Sequence, residues 1–341
     1  MRVGAARAAA AEWVRRYASQ EPGFEGAYFS GSTIGMPDDA ELPRASDVDV
    51  IVVAAAVEPP MKPGKFLYRN ALLEVTYLSS HQLASAESVH LAGSFRADTI
   101  ISDPTGRLRT LHEQVSHQFA DHVWVRRRCQ HARQAVEDVL NSIDTTAPWH
   151  EQVSAWLFGT GVTTFVPLVA ALRNPTVRLR YLAAREVLTA YRHTDLYEEL
   201  LRLLGCIDMT PARVDQHVDE LARTFDAADA VARTPYRFRS DISAAARPIA
   251  IDGSRDLIRA GNHREAVFWI VATFARAHTI LAVDAPELQS AHAPAFAAVL
   301  ADLGVRSSDD LLERGEAVIQ FLPRLWDTAE VIMSTNLAIS R

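Results

Sequence analysis

Two kinds of patterning divide this chain, and the division limits the folds open to it. Up to residue 106, short runs rich in β-branched and aromatic residues are punctuated by Gly and Pro. These predict strands over 26–29, 47–53, 65–69, 72–78 and 98–102, after an alanine-rich helix over 5–19. Asn70-Ala71 reads as the tight turn of an antiparallel hairpin, and Pro59, Pro60, Pro63 and Gly64 read as a loop. From residue 107 the strand signals fade and a helical period takes over. Helices are expected over 107–142, 148–172, 176–191, 195–204, 211–232, 240–260, 263–283, 291–302 and 308–338. Asp195, Thr210 and Ser307 suit N-caps, Gly205 and Gly304 suit C-caps, and Pro323 should kink or split the last helix. The expected fold class is α+β. Residues 1–110 form a small mixed sheet with helices, and residues 111–341 form an all-α domain.

Composition narrows the function classes. The formal charge of -7 disfavours broad nucleic-acid backbone binding, which needs a basic surface. Lys62 and Lys65 are the only lysines among 341 residues. Cys129 and Cys206 lack a C-x-x-C spacing, which suggests a reducing compartment without a disulfide framework. The N-terminal helix carries Arg2, Arg7, Glu12, Arg15 and Arg16, unlike a signal peptide. The apolar run 266–275 is interrupted by Arg276 and His278, so it reads as too short and polar to span a bilayer. A soluble cytoplasmic protein is expected. No feature of the sequence sets an oligomeric state.

The chemistry concentrates where Asp47 and Asp49 open an apolar strand. Residues two apart in a strand share a face, so both carboxylates emerge side by side, with Val48 and Val50 opposite. Carboxylates that close repel unless one is protonated or a divalent cation lies between them, and Mg²⁺ takes oxygen ligands shared with phosphates. Glu74, in phase with Leu72, Thr76 and Leu78, is the candidate third acid. Gly31 permits positive φ and close backbone approach, so Ser32 and the following N–H groups can hold phosphate oxygens. Strand acids and a Gly-Ser phosphate holder together describe two-metal phosphoryl or nucleotidyl transfer.

A strand ending in Gly31-Ser32, a turn, Asp47-x-Asp49 on the next strand and Glu74 on a later one resemble the nucleotidyltransferases of the DNA polymerase β superfamily. Within it the likeness is greatest to the bacterial aminoglycoside and other antibiotic nucleotidyltransferases. The resemblance implies that Asp47 and Asp49 bind two Mg²⁺ ions and that Ser32 contacts the nucleotide phosphates. Gly31, Ser46 and Lys65 complete the expected nucleotide-binding set, and Glu74 acts as metal ligand or as base. It further implies AMP transfer from ATP to a hydroxyl of a small molecule, with the helical domain binding the acceptor. The turn 37–43 is longer than the family's pattern. Two alternatives stand beside this reading. One is a non-catalytic nucleotide- or ligand-sensing scaffold of the same fold. The other is modification of a partner protein of the toxin–antitoxin type, for which Arg126 and His131 give an R-x4-H spacing.

Other conspicuous residues have plainer readings. Asp103-Pro104-Thr105-Gly106 reads as a turn and helix cap, and Arg126-Arg127-Arg128 as a solvated face. His112, His117 and His122 recur every five residues, which rotates them off one helical face. Glu265, Trp269, Ala272 and Arg276 form a stripe that reads as helix packing in preference to a cleft wall.

Overall fold

Alanine is the best helix former, and Ala6, Ala9, Ala10 and Val14 recur at helical spacing. They form the buried stripe of helix α1 (Val3–Arg16) in the computed structural model, which describes residues 1–56, 58, 61–83, 89–95, 97–174 and 176–340. Pro59 and Pro60 of the expected loop lie outside the described residues. After α1 come strands β1 (Phe24–Ser30), β2 (Val48–Ala54), β3 (Gly64–Tyr68) and β4 (Ala71–Ser79). Helix α2 (Val89–Phe95), strand β5 (Ile100–Ser102) and helices α3 (Arg107–Gln118) and α4 (His122–Asn141) follow.

The five strands make one mixed sheet in the order β3-β4-β2-β1-β5. β2 and β4 run parallel, and the other neighbours are antiparallel. The period of two sorts the side chains. Val48, Val50, Val52, Leu73, Val75 and Tyr77 pack with the α1 stripe. Val53, Ile51 and Leu78 face the other way, towards Phe95 of α2 and Leu108 and Val115 of α3. The hairpin turn lies one residue earlier than expected. Tyr68 pairs with Ala71, and Arg69 and Asn70 both have positive φ, at 48° and 65°, as a two-residue turn of the I′ kind requires.

The single helix expected over 107–142 is two helices. The Asp121 carboxylate accepts the Val123 N–H at 2.9 Å, and Ser340 pairs with Ala120 and His122 through backbone hydrogen bonds, so α4 starts afresh. His112 and His117 therefore lie on α3 and His122 on α4. Arg128 is buried and donates to the Phe119 carbonyl, which removes it from the expected solvated face. As expected, Asp103 caps α3, accepting from the Arg109 N–H at 2.9 Å. The chain divides within α4 into two compact units, Met1–Arg128 with Ala338–Arg341, and Cys129–Leu337.

The second unit holds α5 (Trp149–Val162), α6 (Phe165–Ala170), α7 (Arg180–Ala190), α8 (Thr194–Leu204), α9 (Pro211–Val231), α10 (Gly253–Arg259), α11 (His263–Asp284), α12 (Pro286–Asp302) and α13 (Ser308–Thr335). Thr210 and Ser307 are the N-caps of α9 and α13, the latter in a capping box with Asp310. Gly205 ends α8 in the left-handed region. Asp195 lies in the first turn of α8, which starts one residue earlier after His193. The expected helix over 148–172 parts into α5 and α6, where the Thr163 and Thr164 hydroxyls donate back to the carbonyls of Thr160 and Gly161. The segment over 240–260 is likewise a 3₁₀ turn, a π turn at Pro248–Asp252 and α10. Pro323 does not split α13, whose buried face packs on α5 and α6. α11 is longer than the apolar run suggested. Its 22 residues are by length and composition enough to cross a bilayer, yet most are buried among α5, α9, α10 and α12. Core burial accounts for its apolar character.

Candidate functional site

Strand register assembles the site. Asp49 on β2 is the partner of Ser30 on β1 and of Glu74 on β4, and Glu74 is the partner of Lys65 on β3. One cross-strand row therefore carries Ser30, Asp49, Glu74 and Lys65, on the face away from α1. Asp47 enters just before β2. Carboxylate oxygens of Asp47, Asp49 and Glu74 lie within 4.8 Å of one another. Val48 and Val50 point to the opposite face, as the alternation predicts.

The glycine at the end of β1 makes this row possible. Gly31 has φ 70° and ψ -155°, and a Cβ there would stand 1.7 Å from Asp49 Oδ2. Asp49 thus fills the space a side chain at 31 would need. A one-turn 3₁₀ segment, Ser32–Gly35, follows, and Ser32 Oγ lies 3.4 Å from Ser46 Oγ. The two serines expected to hold phosphate therefore meet beside the acids. The long turn after them is held by the chain's N-terminus. Gly4 N–H donates to the Asp38 carbonyl at 2.9 Å, Val3 N–H donates to Ala40 at 2.9 Å, and Arg7 pairs with Asp38 at 2.8 Å. Arg7 also donates to the carbonyls of Met36, at 3.1 Å, and Thr33.

Both lysines of the chain converge on the acids. Lys62 Nζ lies 2.7 Å from Glu74 Oε1; Lys65 Nζ lies 3.2 Å from Asp47 Oδ2 and also binds Glu74 Oε2. The lysine side chains are 9% and 6% exposed, so these are sheltered pairs and not solvated surface contacts. Burial pushes the Asp49 carboxyl well above the ordinary carboxylate range. The charges of Asp47 and Glu74 raise it further, and the lysines oppose them. Asp47 is also raised, chiefly by burial, with Lys65 pulling it down and Glu74 pushing it up.

No family model matches this chain, and no curated protein matches it.

The residues expected from the sequence to bind metal and nucleotide lie close together: Gly31, Ser32, Ser46, Asp47, Asp49, Lys65 and Glu74. Arg69, at the turn of the β3–β4 hairpin, pairs with Glu12 of α1. Two residues of the site escaped the sequence reading. Lys62 carries a compositional signal, being one of only two lysines in the chain. Arg7 carries none, because its contact with the 33–38 turn depends on how α1 packs.

Proposed function

We propose that the chain is a metal-dependent nucleotidyltransferase that moves a nucleoside monophosphate, most simply AMP from ATP, to a hydroxyl of a small molecule. The observation that carries this reading is the acid triad within 4.8 Å, built on one strand row beside Gly31-Ser32. The donor set fits a hard divalent cation, being all carboxylate oxygen, with Asp47 and Asp49 as ligands and Glu74 as third ligand or base. Mg²⁺ held there would neutralise charge on the transferring phosphate and its pyrophosphate leaving group. Ser32, Ser46 and the backbone after Gly31 would hold phosphate oxygens and fix the line of attack. Glu74 would take the proton of the acceptor hydroxyl. Lys65, now answering Asp47 and Glu74, would turn its ammonium to phosphate once a stronger cation takes the carboxylates. The helical unit would bind the acceptor, in a cytoplasmic protein.

One observation favours a second reading, a non-catalytic scaffold. The lysine ammoniums already answer Asp47 and Glu74, and ion pairs that need no metal account for those two acids. Calorimetry separates the two readings. Mg²⁺ with a non-hydrolysable ATP analogue should bind the wild type, and Asp47→Asn/Asp49→Asn should lose the metal-dependent part. Lys65→Met should bind Mn²⁺ alone about tenfold more tightly than wild type, as a displaced competitor worth one partly sheltered ion pair requires. If no nucleoside triphosphate analogue and no metal bind either protein, the scaffold reading stands.

A further inference from the structure

The interior of the helical unit contains hydrogen-bond donors that the fold does not satisfy. Arg180 of α7 is 2% exposed and its Nη1 has no hydrogen-bond partner; among the described residues no carboxylate forms an ion pair with it. The hydroxyl of the neighbouring Tyr181, Nε1 of Trp269 on α11 and Oγ of Ser240 are likewise buried and unpartnered. Native interiors pair nearly all such groups, and a buried cation without an anion is among the costliest things a fold can contain. An aliphatic side chain at 180 would fill the same space without that cost.

These groups belong to one neighbourhood. The Arg180 guanidinium lies 4.1 Å from the Phe268 ring centroid and 5.7 Å from that of Phe158. The Arg276 guanidinium lies 5.7 Å from the same Phe158 ring and 4.8 Å from Trp269. The Tyr181 ring is 6.1 Å from Phe268. Arg276 has its counter-charge in Asp241, with Nη1 and Oδ2 2.9 Å apart but outside hydrogen-bond alignment. Arg180 is therefore the one uncompensated charge of the group. Phe158 beside Arg180, and Phe238 beside Arg276 with Tyr236 next to it, are half-buried.

We propose that this cluster is a binding site for a planar monoanion, an aromatic carboxylate in chemical class. One unanswered positive charge calls for one negative charge. A surplus of donors calls for a ligand that supplies acceptors. The three rings against the Arg180 guanidinium, Phe158, Phe268 and Phe165 at 4.9 Å, call for a flat π-system that can stack or meet their edges. The site stands independently of nucleotidyl transfer. If the helical unit is the acceptor domain, the acceptor is an anionic aromatic and not a polycationic sugar.

Benzoate is the probe, titrated calorimetrically into the full chain, with benzylamine as the charge-reversed control. Benzoate binding with quenching of tryptophan emission, and no response to benzylamine, is the expected result. Arg180→Met should weaken benzoate at least about tenfold, the worth of one charge-assisted hydrogen bond, while its melting temperature in buffer holds or rises. Tyr181→Phe keeps the ring and removes only an orphaned hydroxyl, so it should fold as wild type and bind benzoate a few-fold more weakly. Trp269→Phe should abolish the quenching. Absence of benzoate binding to wild type overturns the proposal, as does benzylamine binding equally well. Should Arg180→Met not fold, undiminished benzoate binding by both Tyr181→Phe and Trp269→Phe also overturns it.

Discussion

Gly31 and Asp49 are the most tightly interlocked residues of the candidate site. An alanine at 31 would meet the Asp49 carboxylate at 1.7 Å and would also occupy the left-handed region, at φ 70°. The backbone part, at φ 70° and ψ -155° a conformation almost confined to glycine, costs about 1–3 kcal/mol whatever the surroundings. The steric part depends on Asp49 being present. A double-mutant cycle should therefore show Gly31→Ala to be less damaging in an Asp49→Ala background, by at least about 1 kcal/mol in urea unfolding. Equal costs in the two backgrounds would mean that the close approach does not exist. Asp49→Asn makes the complementary point. It removes one of three crowded carboxylates, so its melting temperature should rise while metal-dependent nucleotide binding is lost.

Among the elements, the β3–β4 hairpin is held in register by a turn whose residues are poor for it. Both central positions have positive φ, yet neither is glycine. Replacing Arg69-Asn70 by Asn-Gly should stabilise the first unit by about 0.5–1 kcal/mol in thermal or urea unfolding. The Arg69–Glu12 pair lost in the exchange is largely exposed on the arginine side and is worth little. Helix α11 makes a prediction about pH. His278 is 1% exposed, stacks on Phe296 with centroids 4.8 Å apart, and neither ring nitrogen has a hydrogen-bond partner. Burial, helped by His150 and His292, lowers its pKa from 6.5 to about 4. The unfolded chain thus takes a proton at a pH where the folded chain refuses it. Stability contributed here is intact above pH 6.5 and falls as the pH drops towards 4, by up to about 3 kcal/mol. His278→Leu should flatten that part of the pH–stability curve between pH 7 and 5.

For the whole molecule, two compact units with two distinct candidate sites predict two separable ligand footprints. In hydrogen exchange, Mg²⁺ with an ATP analogue should protect β2, β4 and the segment after Gly31. Benzoate should protect α7 and α11 instead. A benzoate footprint on the sheet would refute the assignment of the anion site to the helical unit.

Much of this molecule is legible along the chain because it is local. The change of period near residue 107 separates sheet from helices, and alternation puts Asp47 and Asp49 on one face of β2 with the valines opposite. Caps at Thr210 and Ser307 are likewise local hydrogen-bond chemistry. The helix break at 119–121 was hidden because the chain's last residues, Ser340 among them, stabilise it from more than two hundred positions away. Pro323 does not split its helix for a related reason, since helix continuity there is upheld by packing on α5 and α6. Spacing along β2 and β4 places each acid on its strand face, but register alone sets Asp49 opposite Glu74 and Lys65 opposite Glu74. The counter-cations and the unanswered Arg180 belong to that second category. A charge's partner, or its lack of one, is a property of distance in space, which the order of residues constrains only within a turn or a strand pair.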